Sequence, residues 1–297
     1  MLKQVIVPLD GSPLAEAALP YATQVAQGLK LHMELLRVIE PTSAELKRYA
    51  KGETKPLLPA EARARAMAYL KQAAGSTGAG SVTTKVKSGV PAVEIIDTAE
   101  EYPDALIVMS THGRSGVTRW LIGSVAEKVL HFAPNPILLV RPKATKAKGG
   151  SALRSIVVPL DGSALAEQAL PHAMALAQGL GLEIVLVRAT PTLASYPAMS
   201  EISAPAAYAQ VIADMQAEAK DYLAKVGARL RKQGIEKLRW EIKLGDAAGA
   251  IIDAAADGAL IVMTSRGRTG FKRAVLGSVA DRIVRHANTP VYLVKAG

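Results

Sequence analysis

The sequence of 297 residues contains no cysteine, and only 4% of its residues are aromatic. Without cysteine, disulfides, thiol catalysis and thiolate metal sites are excluded, which fits a reducing compartment. The scarcity of aromatics means that Ala, Val, Leu and Ile must build the core. No run approaches the roughly 18 apolar residues of a membrane-spanning helix. The opening stretch MLKQVIVPLDGSP is typical of a strand and a turn rather than a secretory signal. We therefore expect a cytoplasmic protein.

The chain is basic, with a formal net charge of +10. Four positive charges lie close together in one run, Arg141, Lys143, Lys146 and Lys148, and the others are interleaved with acids. No stripe of Lys and Arg alternates with aromatic residues. Solvated helix faces and a basic linker account for this charge, so we expect neither nucleic acid nor a membrane as partner.

The two halves of the chain repeat one another. Residues 5–29 match residues 156–180 at 17 of 25 positions without a gap, and ALIVM occurs at both 105–109 and 259–263. A repeat of this length indicates a tandem duplication. We predict one domain over 1–142 and a second over 154–297. The Lys-rich segment 143–153 between them contains a Gly pair and is predicted to be a flexible linker.

Strand-like and helix-like runs alternate within each unit. In the first unit, strands are predicted over 4–9, 32–39, 81–89, 104–110 and 136–142, and helices over 14–29, 59–74, 91–102 and 124–133. The strands are almost uniformly apolar, which predicts an α/β fold in which each unit has a five-stranded parallel sheet with helices on both faces. Ligands of such sheets bind at the carboxyl ends of the strands. This rule indicates residues 8–12, residues 38–40 and the chain from Met109 onward.

A glycine-rich loop follows the fourth strand of each unit, MSTHGRSGVTRWLIGSVAE at 109–127 and MTSRGRTGFKRAVLGSVAD at 263–281. Its glycines let a ligand approach the backbone closely. Ser124 with Glu127, and Ser278 with Asp281, fit a capping box at a helix start. A helix start also offers free N–H groups to a phosphate. Phosphate binding and capping alone both remain open. Neither a Walker P-loop nor a dinucleotide-type Gly-x-Gly-x-x-Gly is present.

These features together resemble the universal stress protein family over essentially both units. VPLDGS follows the first strand, ALIVMSTHGRSG leads into GSVAEKVL, and PILLV forms the last strand. The resemblance implies Rossmann-like domains of the adenine nucleotide alpha hydrolase type. In ATP-binding members the loop reads Gly-x-x-Gly, nine residues, then Gly-Ser or Gly-Thr. Here Ser110 and Thr264 replace the first glycine. Because threonine resists positive φ, the second site is expected to be the weaker match.

The resemblance also implies which residues contact nucleotide. The adenine and ribose would lie against the first strand tip, Val38 and the fourth strand, and the phosphates against the loop and helix start. The first-unit residues are Pro8, Leu9, Asp10, Ser12, Val38, Met109, Ser110, His112, Gly113, Arg114, Gly116, Gly123, Ser124 and Val125. The second-unit residues are Pro159, Leu160, Asp161, Ala189, Met263, Gly267, Arg268, Gly270, Gly277, Ser278 and Val279. The expected ligand is ATP, AMP or ADP, with any Mg²⁺ held mainly by phosphates and water.

We expect a stress-response protein that binds an adenine nucleotide in at least the first unit, without catalytic residues or protein metal ligands. A slow ATPase or nucleotide switch and a scaffold without nucleotide are the alternatives. A shared base is not evident, because the counterpart of His112 is Arg266. Asp10 and Asp161 fit both a turn role and a ligand contact, and the four other histidines fit surface or helix-end positions.

The family commonly dimerises through its last strand. We therefore expect PILLVRP and PVYLVKA to pair as an intramolecular pseudo-dimer, with further homodimerisation open. The long loops 41–58 and 190–205 fit either lids or disordered segments.

Overall fold

The computed structural model describes residues 2–42, 59–112, 122–142, 153–192, 205–266 and 276–295, with residues 205–208 described as backbone only. The chain divides into two compact units, Met1–Ala152 and Leu153–Gly297. The prediction that the last strands of the two units pair concerns their arrangement, and it stays a prediction.

The first unit alternates strands and helices along the described residues. Its strands form a parallel sheet in the order β3–β2–β1–β4–β5. The elements are β1 (Gln4–Pro8), α1 (Pro13–Glu16), α2 (Leu19–Leu29), β2 (His32–Ile39), α3 (Ala60–Thr77), β3 (Val82–Ser88), α4 (Pro91–Glu101), β4 (Ala105–Ser110), α5 (Ser124–Phe132) and β5 (Ile137–Val140).

The second unit repeats this plan, with a parallel sheet in the order β8–β7–β6–β9–β10. Its elements are β6 (Ser155–Pro159), α6 (Ala164–Glu167), α7 (Leu170–Leu180), β7 (Glu183–Thr190), α8 (Pro205–Lys232), β8 (Leu238–Leu244), α9 (Ala247–Ala254), β9 (Ala259–Thr264), α10 (Ser278–His286) and β10 (Val291–Val294). The predicted α/β class, with a five-stranded parallel sheet in each unit, is confirmed.

The central strands are buried on both faces, as their apolar sequences predict. Every residue of β4 and of β9 is buried, and so are the three middle residues of β1 and β6. In each unit the chain builds the sheet outward from its first strand on one side and then returns to the other side. The strand order therefore reverses between β1 and β4, and between β6 and β9, and the carboxyl ends there flank a crevice.

The helix predicted over 14–29 is wrong in one respect, because it is two helices. α1 ends at Glu16 and α2 begins at Leu19. Pro20 lacks the N–H that would continue the helical ladder, so the chain turns before it. Pro171 has the same position in α7 of the second unit.

The long loops cannot be compared in full with the prediction. Residues 43–58 and 193–204 lie outside the described residues. In the described part of the chain, no helix combines the length and the apolar composition needed to cross a membrane.

His172 is a half-buried residue in the first turn of a helix, which agrees with the expected surface or helix-end position. It lies in α7, where its Nδ1 is 2.9 Å from the hydroxyl oxygen of Tyr292 in the fully buried part of β10. Burial lowers the pKa of this imidazole. The histidine is therefore part of the packing between α7 and the sheet.

The first sheet contains a buried charge that the second lacks. Glu34 in β2 is only 7% exposed, and within the described residues its Oε1 has no hydrogen-bond partner. Burial raises the pKa of this carboxyl, with Lys85 acting in the opposite direction. Glu34 pairs in register with Ile6 of β1, and Val185 takes the same place beside Val157 of β6. The second copy therefore shows that an apolar side chain fits this position.

We expect Glu34→Val to raise the free energy of unfolding at neutral pH by about 1 kcal/mol, because it removes an incompletely paired buried carboxylate. A raised pKa in the folded state means that the parent loses stability as pH rises from 4.5 through the folded pKa. The unfolding free energy of the variant should not show this decrease with pH. Urea unfolding of parent and variant between acidic and neutral pH tests the expectation, with the exposed Glu61→Gln as control. A variant less stable than the parent at neutral pH would contradict it.

Candidate functional site

The first strand of each unit ends in a turn that is fixed by an aspartate. Oδ1 of Asp10 accepts hydrogen bonds from the N–H of Ser12 at 2.9 Å and from its hydroxyl at 2.6 Å. The Ser12 Oγ in turn accepts from the N–H of Ala15 at 3.1 Å and caps α1. Asp161 and Ser163 repeat the turn in the second unit. Of the two roles left open for these aspartates, the structure shows the turn role, and the ligand contact stays a prediction.

An arginine that the sequence analysis missed braces this turn in the first unit. Nη1 of Arg37, in β2, donates to the carbonyl oxygen of Leu9 at 3.2 Å. The guanidinium carbon lies 5.6 Å from the ring centroid of Tyr69, whose hydroxyl donates to Glu16 at 2.9 Å. Gly11 has φ of +80°, and a Cβ there would lie 3.0 Å from the same Nη1. The turn therefore packs directly on the guanidinium.

The second unit repeats part of this brace, with Arg188 5.2 Å from the ring centroid of Tyr222 and the Tyr222 hydroxyl donating to Glu167 at 2.8 Å. The recurrence of Arg, Tyr and Glu at equivalent places in both halves is the signal by which the sequence could have revealed it.

The two ends of each glycine-rich loop are joined by a backbone hydrogen bond. The N–H of Gly123 donates to Thr111 O at 2.8 Å, and that of Gly277 donates to Ser265 O at 2.9 Å. A Cβ on Gly123 would lie 3.3 Å from Thr111 O, closer than most such contacts. Gly123 thus permits a close approach between strand end and helix start in the first unit. The predicted loop residues Gly113, Arg114, Gly116, Gly267, Arg268 and Gly270 lie outside the described residues.

The capping boxes predicted from Ser124 and Ser278 are wrong. The N-cap residues are Gly123 and Gly277, whose backbones are extended, and neither helix has a side-chain hydrogen bond at its N-cap. Each serine is instead the first helical residue, one position too late to cap. The first intrahelical bond of α5 runs from Glu127 N to Gly123 O. The N–H groups of residues 124–126 therefore have no partner within the helix.

This geometry predicts different stability effects for two serines of the same unit. Ser12→Ala should cost about 1 kcal/mol of unfolding free energy, because the Ser12 hydroxyl caps α1. Ser124→Ala should change it by no more than a few tenths of a kcal/mol, because that hydroxyl does not cap α5. Ser163→Ala and Ser278→Ala give the matched pair in the second unit. Equal losses in urea unfolding for both members of a pair would contradict the assignment.

The strain expected at Thr264 is absent. Ser110 and Thr264 are the last residues of β4 and β9, and Lys30 is the only non-glycine residue with positive φ in the described part of the chain. The pattern's first glycine position therefore has ordinary strand geometry here, which β-branched residues favour. The Thr264 hydroxyl donates to Arg266 O at 2.6 Å, and the Ser110 hydroxyl accepts from His112 N at 3.2 Å. The backbone conformation at Thr264 therefore does not make the second site a weaker match than the first.

In the first unit these elements surround a cavity of about 440 Å³ at the carboxyl ends of the strands. Among the described predicted residues, only Ser12 does not line it, since its hydroxyl faces α1. The predicted residues that line it are Pro8, Leu9, Asp10, Val38, Met109, Ser110, His112, Gly123, Ser124 and Val125. The lining residues that were not predicted are Ala15, Leu36, Arg37, Ile39, Glu40, Pro91, Ile95, Thr111 and Ala126.

The second unit has an equivalent cavity of about 350 Å³. All of its described predicted residues line it, namely Pro159, Leu160, Asp161, Ala189, Met263, Gly277, Ser278 and Val279. Those that were not predicted are Ala166, Val187, Ala247, Ile251, Thr264, Arg266 and Ala280. Most of these are apolar residues of helices and strands, whose approach to the cavity depends on packing rather than on a local sequence pattern.

Comparison with known proteins identifies the family. The sequence matches the universal stress protein family twice, over residues 1–141 and 152–295. The chain belongs to this family. A universal stress protein of Mycolicibacterium smegmatis is 25% identical over 304 aligned residues, covering 98% of this chain and 96% of that protein. One of Methanocaldococcus jannaschii is 32% identical over 142 residues, covering 48% of this chain and 83% of that protein.

The fold is also shared with solved universal stress proteins. The crystal structure of one from Archaeoglobus fulgidus is similar with a TM-score of 0.69 at 21% identity, covering 99% of this chain and 98% of that one. At this identity the likeness shows the fold alone.

One polar atom of this universal stress protein is buried in the first cavity without a partner. His112 lines the cavity, and its Nδ1 is 2.9 Å from the Thr111 hydroxyl oxygen. Its Nε2 is buried and has no hydrogen-bond partner within the described residues. A buried polar atom of this kind is normally paired, so a ligand in the cavity is a natural partner for it. The described residues contain no cluster of three or more side chains that could hold a metal ion.

Proposed function

We propose that this universal stress protein binds an adenine nucleotide, ATP or its mono- or diphosphate, in the cavity of each unit, and that nucleotide binding serves its role in stress response. The observation that carries the proposal is the helix start on the cavity wall. Ser124, Val125 and Ala126 line the first cavity, and their N–H groups have no partner within α5. Their equivalents in α10 line the second cavity.

The helix start supplies what a phosphate group needs. Free N–H groups and the positive end of the helix dipole stabilise an anion at this place. The Ser124 hydroxyl is available to the same ligand, because it does not cap the helix. In the first cavity, the imidazole of His112 adds one further polar side chain to the lining.

The strand residues that line the cavity suit a flat apolar ring. Pro8, Val38 and Met109 line it at the carboxyl ends of three adjacent strands, together with the apolar side chains of Leu36 and Ile95. Burial of apolar surface and a few polar contacts are typical of small-molecule sites of this size. The choice of adenine among the bases rests on the family resemblance. Any Mg²⁺ would be held mainly by the phosphates and by water.

Thermal unfolding of nucleotide-stripped protein tests the proposal. At an ATP concentration about a hundredfold above Kd, with Mg²⁺ present, binding to the folded state should add about 2.7 kcal/mol to its stability. Inorganic phosphate with the same Mg²⁺ and ionic strength is the control, because it lacks the base. A melting temperature that rises no more with ATP than with phosphate would overturn the proposal and favour a scaffold that acts without nucleotide.

A further inference from the structure

We propose that the two cavities select nucleotides by phosphate charge, the second cavity preferring the triphosphate and the first accepting nucleotides with fewer phosphates. This inference rests on the proposed function and adds to it which ligand each cavity takes. Two cavities from one duplicated sequence share the helix start and the aspartate turn, so a difference between them must come from the side chains that were exchanged after duplication.

The first exchange lies beside the helix start. His112 follows β4 by two residues and lines the first cavity, whereas Arg266 follows β9 by two residues and lines the second. The Thr264 hydroxyl donates a hydrogen bond to the carbonyl oxygen of Arg266 and so fixes the backbone at Arg266. The second cavity thus has a permanently charged guanidinium where the first has an imidazole. Guanidinium groups bind phosphate oxygens through several N–H donors at once.

The second exchange removes a negative charge. Glu40 follows β2 and lines the first cavity. The corresponding residue after β7 is Pro191, which does not line the second cavity. A carboxylate at the edge of the first cavity repels additional phosphate groups, and the second cavity has no such group at that place.

The charged residues of the described linings agree with a more positive second site. Asp10, Arg37 and Glu40 line the first cavity and give a formal charge of −1, whereas Asp161 and Arg266 line the second and give a formal charge of 0. The lining of the second cavity is therefore more positive by one charge, which favours ligands with more phosphate groups.

Two single-site variants separate the cavities. Ser124→Pro removes one N–H and the hydroxyl from the first cavity, and Ser278→Pro does the same in the second. Each is titrated calorimetrically with AMP and with ATP, in EDTA so that Mg²⁺ does not mask the phosphate charge and then again with Mg²⁺. In EDTA, the ratio of the Kd for AMP to the Kd for ATP should be about tenfold larger for Ser124→Pro, which keeps only the second cavity intact, than for Ser278→Pro, which keeps only the first. Added salt should reduce the difference between the Kd ratios of the two variants.

Exchange variants test the same claim without disturbing either helix. Arg266→His should lower the preference of the second cavity for ATP about tenfold, and His112→Arg should raise that of the first by a similar factor. Both residues already occur at the equivalent place in the other copy. Equal ratios for the two cavities, or ratios that the exchange leaves unchanged, would overturn this inference while leaving the proposed function intact. Absence of binding of either nucleotide to the parent would overturn the proposed function and this inference with it.

Discussion

The double variant Ser124→Pro with Ser278→Pro is expected to fold as the parent does and to bind adenine nucleotide at least about a hundredfold more weakly at each site. Each substitution deletes one N–H donor and one hydroxyl from a helix start that lines a cavity. Hydrogen bonds to a charged phosphate are among the stronger ones, so losing two of them has a large effect on affinity.

The fold should tolerate these prolines for a local reason. Proline is well accepted as the first residue of a helix, because its missing N–H has no helical partner there. Pro13 and Pro91 already stand at the starts of α1 and α4. Gly123, with φ of −62° and ψ of 147°, has the extended backbone that the residue before a proline requires.

Calorimetric titration with ATP and Mg²⁺ measures the loss, and circular dichroism verifies the fold. Ala164→Pro is the matched control. It places a proline at the start of α6, as in α1 of the first unit, but at a residue that does not line the cavity. The control should bind as the parent does. If the double variant folds and keeps the affinity of the parent, the helix starts are not the phosphate sites.

Gly11→Ala should cost about 2–3 kcal/mol of unfolding free energy and weaken nucleotide binding in the first unit only. An alanine at positive φ costs about 1 kcal/mol in backbone strain. Here its Cβ would also lie 3.0 Å from Nη1 of Arg37, so the guanidinium would have to shift by a few tenths of an ångström, which strains its hydrogen bond to Leu9 O. The turn that carries Asp10 would shift, and Asp10 lines the cavity.

Gly181→Ala separates the cost of backbone strain at positive φ from the cost of the contact with Arg37. Gly181 also has positive φ, at +67°, but a Cβ there would have no atom within 4 Å. Its substitution should therefore cost only the backbone term of about 1 kcal/mol, without an effect on nucleotide affinity. Urea unfolding and titration of the two variants give the comparison. Equal costs for Gly11→Ala and Gly181→Ala would show that Arg37 does not brace the turn.

The fold was largely predictable because the strands are buried on both faces and the chain repeats itself. The strand predicted over 32–39 coincides with β2 to the residue, and ALIVM marks β4 and β9. The split between α1 and α2 was not predicted, because the helical periodicity of 14–29 continues across it and Pro20 is its local signal.

The site was predictable at its strand tips and less so where contacts are distant in sequence. Gly and Ser both occur as N-cap residues, so the sequence could not decide whether Gly123 or Ser124 caps α5, and the structure assigns Gly123. The contact of Arg37 with Tyr69 joins β2 to α3, so its signal in the sequence is the recurrence of both residues in the second unit rather than a local pattern. The concern about Thr264 assumed a positive φ that the end of β9 does not have.

The number of nucleotides bound per chain tests the central claim most directly. Nucleotide-stripped protein is titrated calorimetrically with ATP in Mg²⁺, and the stoichiometry is read from the midpoint. Two equivalent helix starts and two cavities predict two nucleotides per chain. A value of one would contradict the claim that both copies bind, and no binding at millimolar ATP would mean that the repeated glycine and serine spacing serves only to join strand end and helix start.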